Sequence, residues 1–352
     1  MKQMWRLTKN ILWGHPFYLI FFVTSKCNAR CKMCFNWRNI DEANSRKELS
    51  LEEIGKITLS LSNLQQLTMS GGEPFLRKEL PEICSLFTRN SKVPWITIPT
   101  NGLLPDVIEN NLRRILRENP QTHFRLSVSM SGVEDASSEI FQVRDSFKAQ
   151  QETMAVLKTF LTSYSNLSVD VGIVYSKFNE NVICELLDYI NENYPFANPM
   201  LAVVRGDSRE KIAKEIDLDK LKEVFEYQRH FTKKAKNHPY ARLINPIQDM
   251  VHELVLDALG AKRSPVKCLA GKKLMVLSDD GELFPCEMLK KSFGNLRDYD
   301  YNIKEVLALG STKEILAAIK SSRCFCSWEC ALYNNIVFSN KYRFKSLLNL
   351  IR

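Results

Sequence analysis

The sequence predicts an α/β fold. Six strands, each followed by a helix, form a parallel sheet rolled into an open partial barrel, and a small β-hairpin-plus-helix unit follows it. Three observations predict this. Between residues 17 and about 210, short apolar runs alternate with segments of helical periodicity, the pattern of repeated βα units. The strand-like runs end in turn formers such as Gly71-Gly72 and Asn101-Gly102. Residues 273–278 and 282–285 alternate on either side of Asp280-Gly281, a strong hairpin signal.

Taken in order, residues 17–23 are continuously apolar. They suit a buried first strand better than a signal-peptide core, because no small-residue cleavage site follows. Ser50-Leu51-Glu52-Glu53 is a capping box opening a helix to about residue 61. Strands are expected over 64–70 and 93–100, with a helix between them ending near 88. Pro105 suits the first turn of a helix reaching about 118, since its missing amide would have no intrahelical partner there. Strands over 124–130, 167–175 and 200–205 complete the six, with helices over 147–163 and 180–193. Helices over 217–236 and 246–259 then link to the C-terminal unit. The expected division is a basic segment 1–16, the barrel 17–210, a helical linker 211–265, a cysteine-bearing unit 266–335 and a basic tail 336–352.

Alternation within the strands adds a prediction about the interior. If Phe124, Leu126 and Val128 face the helices, then Arg125, Ser127 and Ser129 face inward. Ser168 and Asp170, and Thr68 and Ser70, fall in the same way. Filled barrel cores consist of bulky branched residues, so a polar lining points to a ligand cavity; the competing reading is a buried polar network.

At 352 residues, with 45% hydrophobic and 25% charged content, the composition is that of a folded globular protein, and no apolar run reaches the ~20 residues of a membrane span. The net charge is +9, of which residues 1–16 and 336–352 supply seven without a single acid. Both ends carry apolar residues at helical spacing. They suit peripheral contact with the inner face of a membrane, or packing on the body with the charges solvated. Eight of the ten cysteines fall in two groups with metal-ligand spacing, 27, 31, 34 and 268, 286, 324, 326, 330. Such grouping favours metal over disulfides and places the chain in a reducing cytoplasm. Cys84 and Cys184 lie in helical apolar patterns and read as packing, and the five histidines show no ligand spacing.

Cys27, Cys31 and Cys34 stand as C-x3-C-x2-C directly after the first strand. Three thiolates do not complete a structural zinc site, which takes four ligands. They can hold three irons of a [4Fe–4S] cluster and leave the fourth open, where most such clusters have four cysteines. The loop, closed by Phe35, resembles the signature of the radical S-adenosylmethionine (SAM) superfamily, and the Gly71-Gly72-Glu73-Pro74 turn one βα unit later strengthens the likeness. The resemblance implies a partial (β/α)6, TIM-like barrel and a cluster that chelates SAM and reductively cleaves it to a 5′-deoxyadenosyl radical. It also implies contacts to SAM from Phe35, the Gly71–Pro74 turn, Thr100, Asn101, Ser129, Ser131 and Arg144. Ser131 departs from the acidic residue that related enzymes often carry there. Arg205 and Asp207, at the end of the sixth strand, are further candidates.

The second group, with its Gly281-x4-Cys286 hairpin, resembles the SPASM or twitch extension of that superfamily. Five cysteines rather than seven imply one auxiliary [4Fe–4S] cluster, ligated by Cys268, Cys286 and two of Cys324, Cys326 and Cys330; a zinc ribbon is the competing reading. The expected activity is that of a radical SAM oxidoreductase or maturase acting on a peptide, sugar or lipid-linked substrate, with flavodoxin or ferredoxin as reductant. A zinc-bearing nucleic-acid-binding protein is the alternative. It is disfavoured because the positive charge sits in the ends rather than on a sheet face.

Overall fold

A computed structural model describes residues 17–62, 64–234, 241–263, 266–321, 326–339 and 342. The basic segment 1–16, most of the tail and Cys324 lie outside the described residues. Six strands, β1 (Tyr18–Thr24), β2 (Gln66–Gly71), β3 (Trp95–Thr100), β4 (His123–Ser129), β5 (Leu167–Tyr175) and β6 (Asn198–Val203), pair in parallel with their sequence neighbours. Helices connect them, so each strand presents its C-terminal end on the same side. The sheet is not closed into a full barrel: the strand order is β6-β5-β4-β3-β2-β1-β7-β8-β9.

The hairpin forms where Asp280-Gly281 predicts it, with β7 (Leu274–Leu277) antiparallel to β8 (Glu282–Phe284) and β9 (Gly294–Asn295) beyond. Its placement was not legible in the sequence. β7 pairs in parallel with β1, setting Tyr18 beside Leu274 and Phe21 beside Leu277, so the cysteine-bearing hairpin continues the barrel sheet. Strand alternation explains why β1 is apolar throughout. Leu19, Phe21 and Val23 join the main core beneath the helices, whereas Tyr18, Ile20 and Phe22 pack with Leu274, Val276 and Trp328 on the other face.

The capping box holds: the Glu53 amide donates to Ser50 Oγ (3.2 Å) and the Ser50 amide to Glu53 Oε2 (2.7 Å), opening helix Leu51–Ser60. Helix Pro105–Glu118 starts at its proline. Helix Glu134–Phe141 was not foreseen, because its short sequence has little apolar periodicity beyond Ile140 and Phe141. Helix Ala241–Ala261 starts before Pro246 rather than at it.

Helix Glu329–Phe338 decides what the barrel encloses. At one end Glu329 Oε1 accepts the Val203 amide (2.7 Å) at the edge of β6. At the other, the Phe338 ring meets Phe17 edge-on at 5.0 Å, at the foot of β1. The helix thus spans the lateral gap between the two ends of the parallel strands. Inside, the Tyr18 hydroxyl bonds Thr68 Oγ1 (2.8 Å) and Arg125 Nε meets Asp170 Oδ2 (3.2 Å), with Cys330 and Tyr333 of the helix within electrostatic reach of Arg125. The lower part of the polar lining is therefore answered by the chain itself. Higher up, Ser70, Ser127 and Ser129 stay partly exposed while their outward neighbours are buried, so the upper interior is open.

Candidate cofactor site and a second cysteine cluster

The loop carrying Cys27, Cys31 and Cys34 leaves the C-terminal end of β1 and is held on three sides by backbone hydrogen bonds. The amides of Gly72 and Glu73 donate to the carbonyls of Thr24 and Lys26, both at 2.8 Å. The amides of Arg30 and Lys32 donate to Phe141 and Ile140 (3.2 and 3.1 Å), and those of Arg209 and Glu210 to Cys34 and Lys32 (3.0 and 2.9 Å). Gly71 and Gly72 are required by this closeness. A Cβ on Gly71, whose φ is +129°, would strike the Thr24 carbonyl, and one on Gly72 would strike that of Lys26. The two glycines thus let the Gly71–Pro74 turn lie directly against the cysteine loop.

Glu73 fastens the turn to the end of β3. Its Oε1 accepts Thr100 Oγ1 (2.8 Å) and the Phe75 amide (3.2 Å), and its Oε2 accepts the Asn101 amide (2.7 Å). Burial pushes this carboxyl up to about 7 against the pull of those bonds. Asn101 in turn reaches the cysteine loop, its Nδ2 donating to Asn28 Oδ1 (2.7 Å). The end of β4 is supported from behind, where Gln150 Nε2 donates to the Ser129 carbonyl (2.8 Å) and Asn179 Nδ2 to that of Ser131 (2.9 Å). Arg144 is exposed in the turn after Phe141, the residue whose carbonyl receives Arg30, so it lies beside the cysteine loop and outside the buried network.

The three cysteines are partly exposed. Burial pushes each thiol up, Cys27 to about 11, and at Cys31 the charges of Cys34 and Cys27 add to the effect. Thiols placed to repel one another as thiolates suit a cationic iron–sulfur group that takes all three. Among the described residues no three His, Cys, Asp or Glu side chains converge on a single metal ion. Three thiols on one loop match the donor set of a cluster that keeps one iron open.

The second group also assembles. Cys268, Cys286, Cys326 and Cys330, drawn from the loop before β7, the end of β8 and the start of the C-terminal helix, share one apolar cluster with Tyr18, Ile20, Phe22 and Trp328. Amides of Leu289 and Trp328 donate to the sulfurs of Cys286 (3.4 Å) and Cys326 (3.2 Å). Burial pushes Cys330 up to about 11, and Arg205 opposes this. A cavity of about 350 Å³ has Phe35 and Asn36, next to the first cysteine loop, and Cys286 of the second group in its wall, with Phe22, Val276, Arg38, Glu42, Asp207, Glu287 and Lys290 among the others. Arg205 touches two residues of that wall, bonded to Glu287 Oε2 (3.0 Å) with its guanidinium 4.9 Å from the Phe35 ring centre. A larger cavity, about 730 Å³, lies among Glu82, Ser85, Arg114 and Asn119 with no cysteine in its wall.

Sequence inspection missed several residues that hold these sites. Glu48 links Thr24 Oγ1 (2.5 Å) to Arg77 (2.6 Å), tying the residues that flank the cysteine loop and the glycine turn. Arg46 bonds Asp279, Asp280 and Ser278, joining the segment after the loop to the hairpin. Nothing in the polar stretch 38–48 marks them, because their partners lie far away in the chain. Asp207, by contrast, was a candidate for SAM or substrate, and its carboxylate pairs with Arg38 (3.0 Å) and Lys211.

Comparison with known proteins agrees with this geometry. The Radical SAM superfamily profile matches residues 21–190. The GTP 3′,8-cyclase of Syntrophomonas wolfei is 30% identical over 98 residues, which cover 27% of this chain and 30% of that protein. A probable GTP 3′,8-cyclase of Archaeoglobus fulgidus is 27% identical over 171 residues, covering 48% and 53%. The chain thus spans about a third to a half of these two curated relatives. Among solved structures, Streptococcus suis SuiB bound to S-adenosylmethionine aligns with 96% of this chain and 76% of its own at TM-score 0.60 and 17% identity. Native anSMEcpe with bound AdoMet and a peptide aligns with 95% and 98% at TM-score 0.59 and 16% identity; at these identities the likeness is one of fold. Members of the matched superfamily use a [4Fe–4S] cluster and SAM. With the profile lying over the C-x3-C-x2-C loop, the glycine turn and the strands that bring them together, residues 21–190 of this chain are a radical SAM superfamily domain.

Proposed function

We propose that the protein is a radical SAM oxidoreductase or maturase that performs a net two-electron oxidation of a peptide, sugar or lipid-linked substrate with the help of one auxiliary [4Fe–4S] cluster. The single observation that carries this is the bonding of the cysteine loop to the Gly71–Pro74 turn, with Phe35 beside that loop and Cys286 of the second group sharing the wall of one cavity. Cys27, Cys31 and Cys34 would hold the first cluster. Cys268, Cys286, Cys326 and Cys330 are the described candidates for the second, with Cys324 a further one. When bound, the first cluster and SAM supply one-electron cleavage to a 5′-deoxyadenosyl radical.

The chain's own residues supply position. The turn amides of Gly72 and Glu73 are spent on the loop, so an incoming ammonium would meet carbonyl oxygens, the acceptors it needs. Phe22, Phe35, Val276 and Phe284 form an apolar part of the cavity wall, and Arg38, Glu42, Asp207 and Lys290 line the rest with charge. Arg205 and Glu287 sit where substrate would approach both sites.

The reductant would be a small electron carrier such as flavodoxin or ferredoxin. Among the described residues no helix is long and apolar enough to cross a membrane, and peripheral contact through the basic ends stays part of the proposal. The curated relatives support a second reading, cyclisation of GTP. Iron and sulfide analysis of anaerobically reconstituted protein tests the cofactor assignment, with about eight irons per chain expected. Formation of 5′-deoxyadenosine from SAM under dithionite tests the chemistry. Zinc without sulfide, or no SAM cleavage by fully loaded protein, would sink the proposal. Conversion of added GTP would select the second reading.

A further inference from the structure

Arg209 is zipped to the cysteine loop by its own amide and that of Glu210, and two crossed ion pairs lock the zip. Arg38 pairs with Asp207 (3.0 Å) and Arg209 with Asp41 (2.9 Å). Trp37 lies with them, its Nε1 donating to the Asp207 carbonyl (3.0 Å), its ring centre 4.4 Å from the Arg38 guanidinium and 5.5 Å from that of Arg209. Both terminal nitrogens of Arg209 serve Asp41 (3.1 and 2.9 Å). The third, Nε, is buried and has no hydrogen-bond partner. A charged donor left in that state is costly and needs an explanation. The guanidinium also acts on Cys31 and Cys34, opposing the effect of burial on both thiols.

We infer that Arg209 is a positioning residue that sets the potential of the first cluster, its Nε–H donating to a sulfur of the loaded site and its charge favouring the reduced state. The inference rests on the function proposed above. Reduction adds an electron, so a fixed cation beside the sulfurs stabilises the product more than the reactant. Hydrogen bonds to sulfur and local charge are the levers by which proteins set such potentials. No step of the proposed function uses this buried donor.

The Arg209–Asp41 pair provides its own control. Arg209→Gln removes the cation but leaves an amide donor at the place of Nε, whereas Asp41→Asn removes the opposing anion and leaves both. Full-length protein is reconstituted anaerobically and titrated electrochemically by electron paramagnetic resonance, with iron and sulfide measured on each sample. The first site's signal is identified by its change on adding SAM. R209Q is expected to lower the midpoint by about 59 mV, a tenfold loss of reduced fraction at fixed potential, and D41N to raise it. Arg209→Lys, which keeps the charge without the Nε–H, should also fall below wild type and isolates the contribution of that donor. A purely mechanical latch breaks in both variants, so shifts of the same sign, or a fully loaded R209Q at the wild-type potential, overturn the inference. If R209Q does not retain iron, R209K and D41N carry the same test of opposite signs. Wild-type protein that binds no cluster would instead sink the proposed function, which keeps the two failures distinct.

Discussion

Gly72→Ala strikes the joint between the glycine turn and the cysteine loop. The added Cβ would fall on the Lys26 carbonyl oxygen, with the carbonyl carbon at 2.6 Å and the Ser25 oxygen at 2.9 Å. All three are backbone atoms, so no side chain can swing aside to relieve the contact. The loop must retreat, breaking the bonds from Gly72 to Thr24 and from Glu73 to Lys26. Two buried polar pairs left unmade cost about 2–6 kcal/mol, a large share of the ~5–15 kcal/mol that holds a domain folded. The retreat also shifts Cys27 relative to Cys31 and Cys34, whose part of the loop is held separately by Ile140, Phe141 and Arg209. Urea denaturation of the apoprotein and iron analysis after reconstitution read the two effects. The variant should unfold at clearly lower urea and lose the first site's iron while keeping the second site's. An unchanged urea midpoint with full iron content would refute the role given to this glycine.

Three further predictions follow from the same geometry. In Glu73→Gln the new amide group faces a backbone donor in either orientation, Phe75 at Oε1 or Asn101 at Oε2, so stability should drop by about 1–3 kcal/mol. Because burial holds Glu73 up to about 7, the native chain keeps a proton that the unfolded chain has lost. Wild-type stability should therefore decline as pH rises from the ordinary carboxylate range towards 7, and E73Q should decline less; equal slopes in urea midpoints at pH 5 and 7.5 would contradict this. Arg46→Met leaves Asp279, whose side chain is 1% exposed, without its cation, and should cost about 3–5 kcal/mol in chemical denaturation, a near-neutral effect counting against the hairpin clamp. Cys286→Ser should halve the iron, from about eight to about four per chain, while the SAM-responsive signal persists; loss of that signal would mean the two sites are not independent.

Much of the fold was legible because it is written in local patterns. The βα alternation, the capping box at Ser50 and the Asp280-Gly281 hairpin each depend on neighbours within a few residues, and each forms where expected. The site was legible in part for the same reason, since its cysteines and glycines are contiguous in the chain. Thr100 and Asn101 came from the family resemblance, and the structure gives them the task of binding Glu73 and the cysteine loop. Glu48, Arg46 and Arg209 were invisible. A charged residue in a polar stretch looks the same whether solvated or clamped on a partner two hundred residues away.

The sequence by itself determined the six parallel strands, most of the helices, which faces are apolar, and which thiols are grouped, because spacing and periodicity act over short range. Tertiary structure decided three things that spacing does not encode. It set β7 beside β1, laid helix Glu329–Phe338 across the gap in the barrel, and brought Arg205 and Arg209 against residues of the two cysteine groups. Each depends on which surfaces meet once the chain has collapsed. That choice is made by the shape of the whole core and by long-range ion pairs, not by any one stretch of residues.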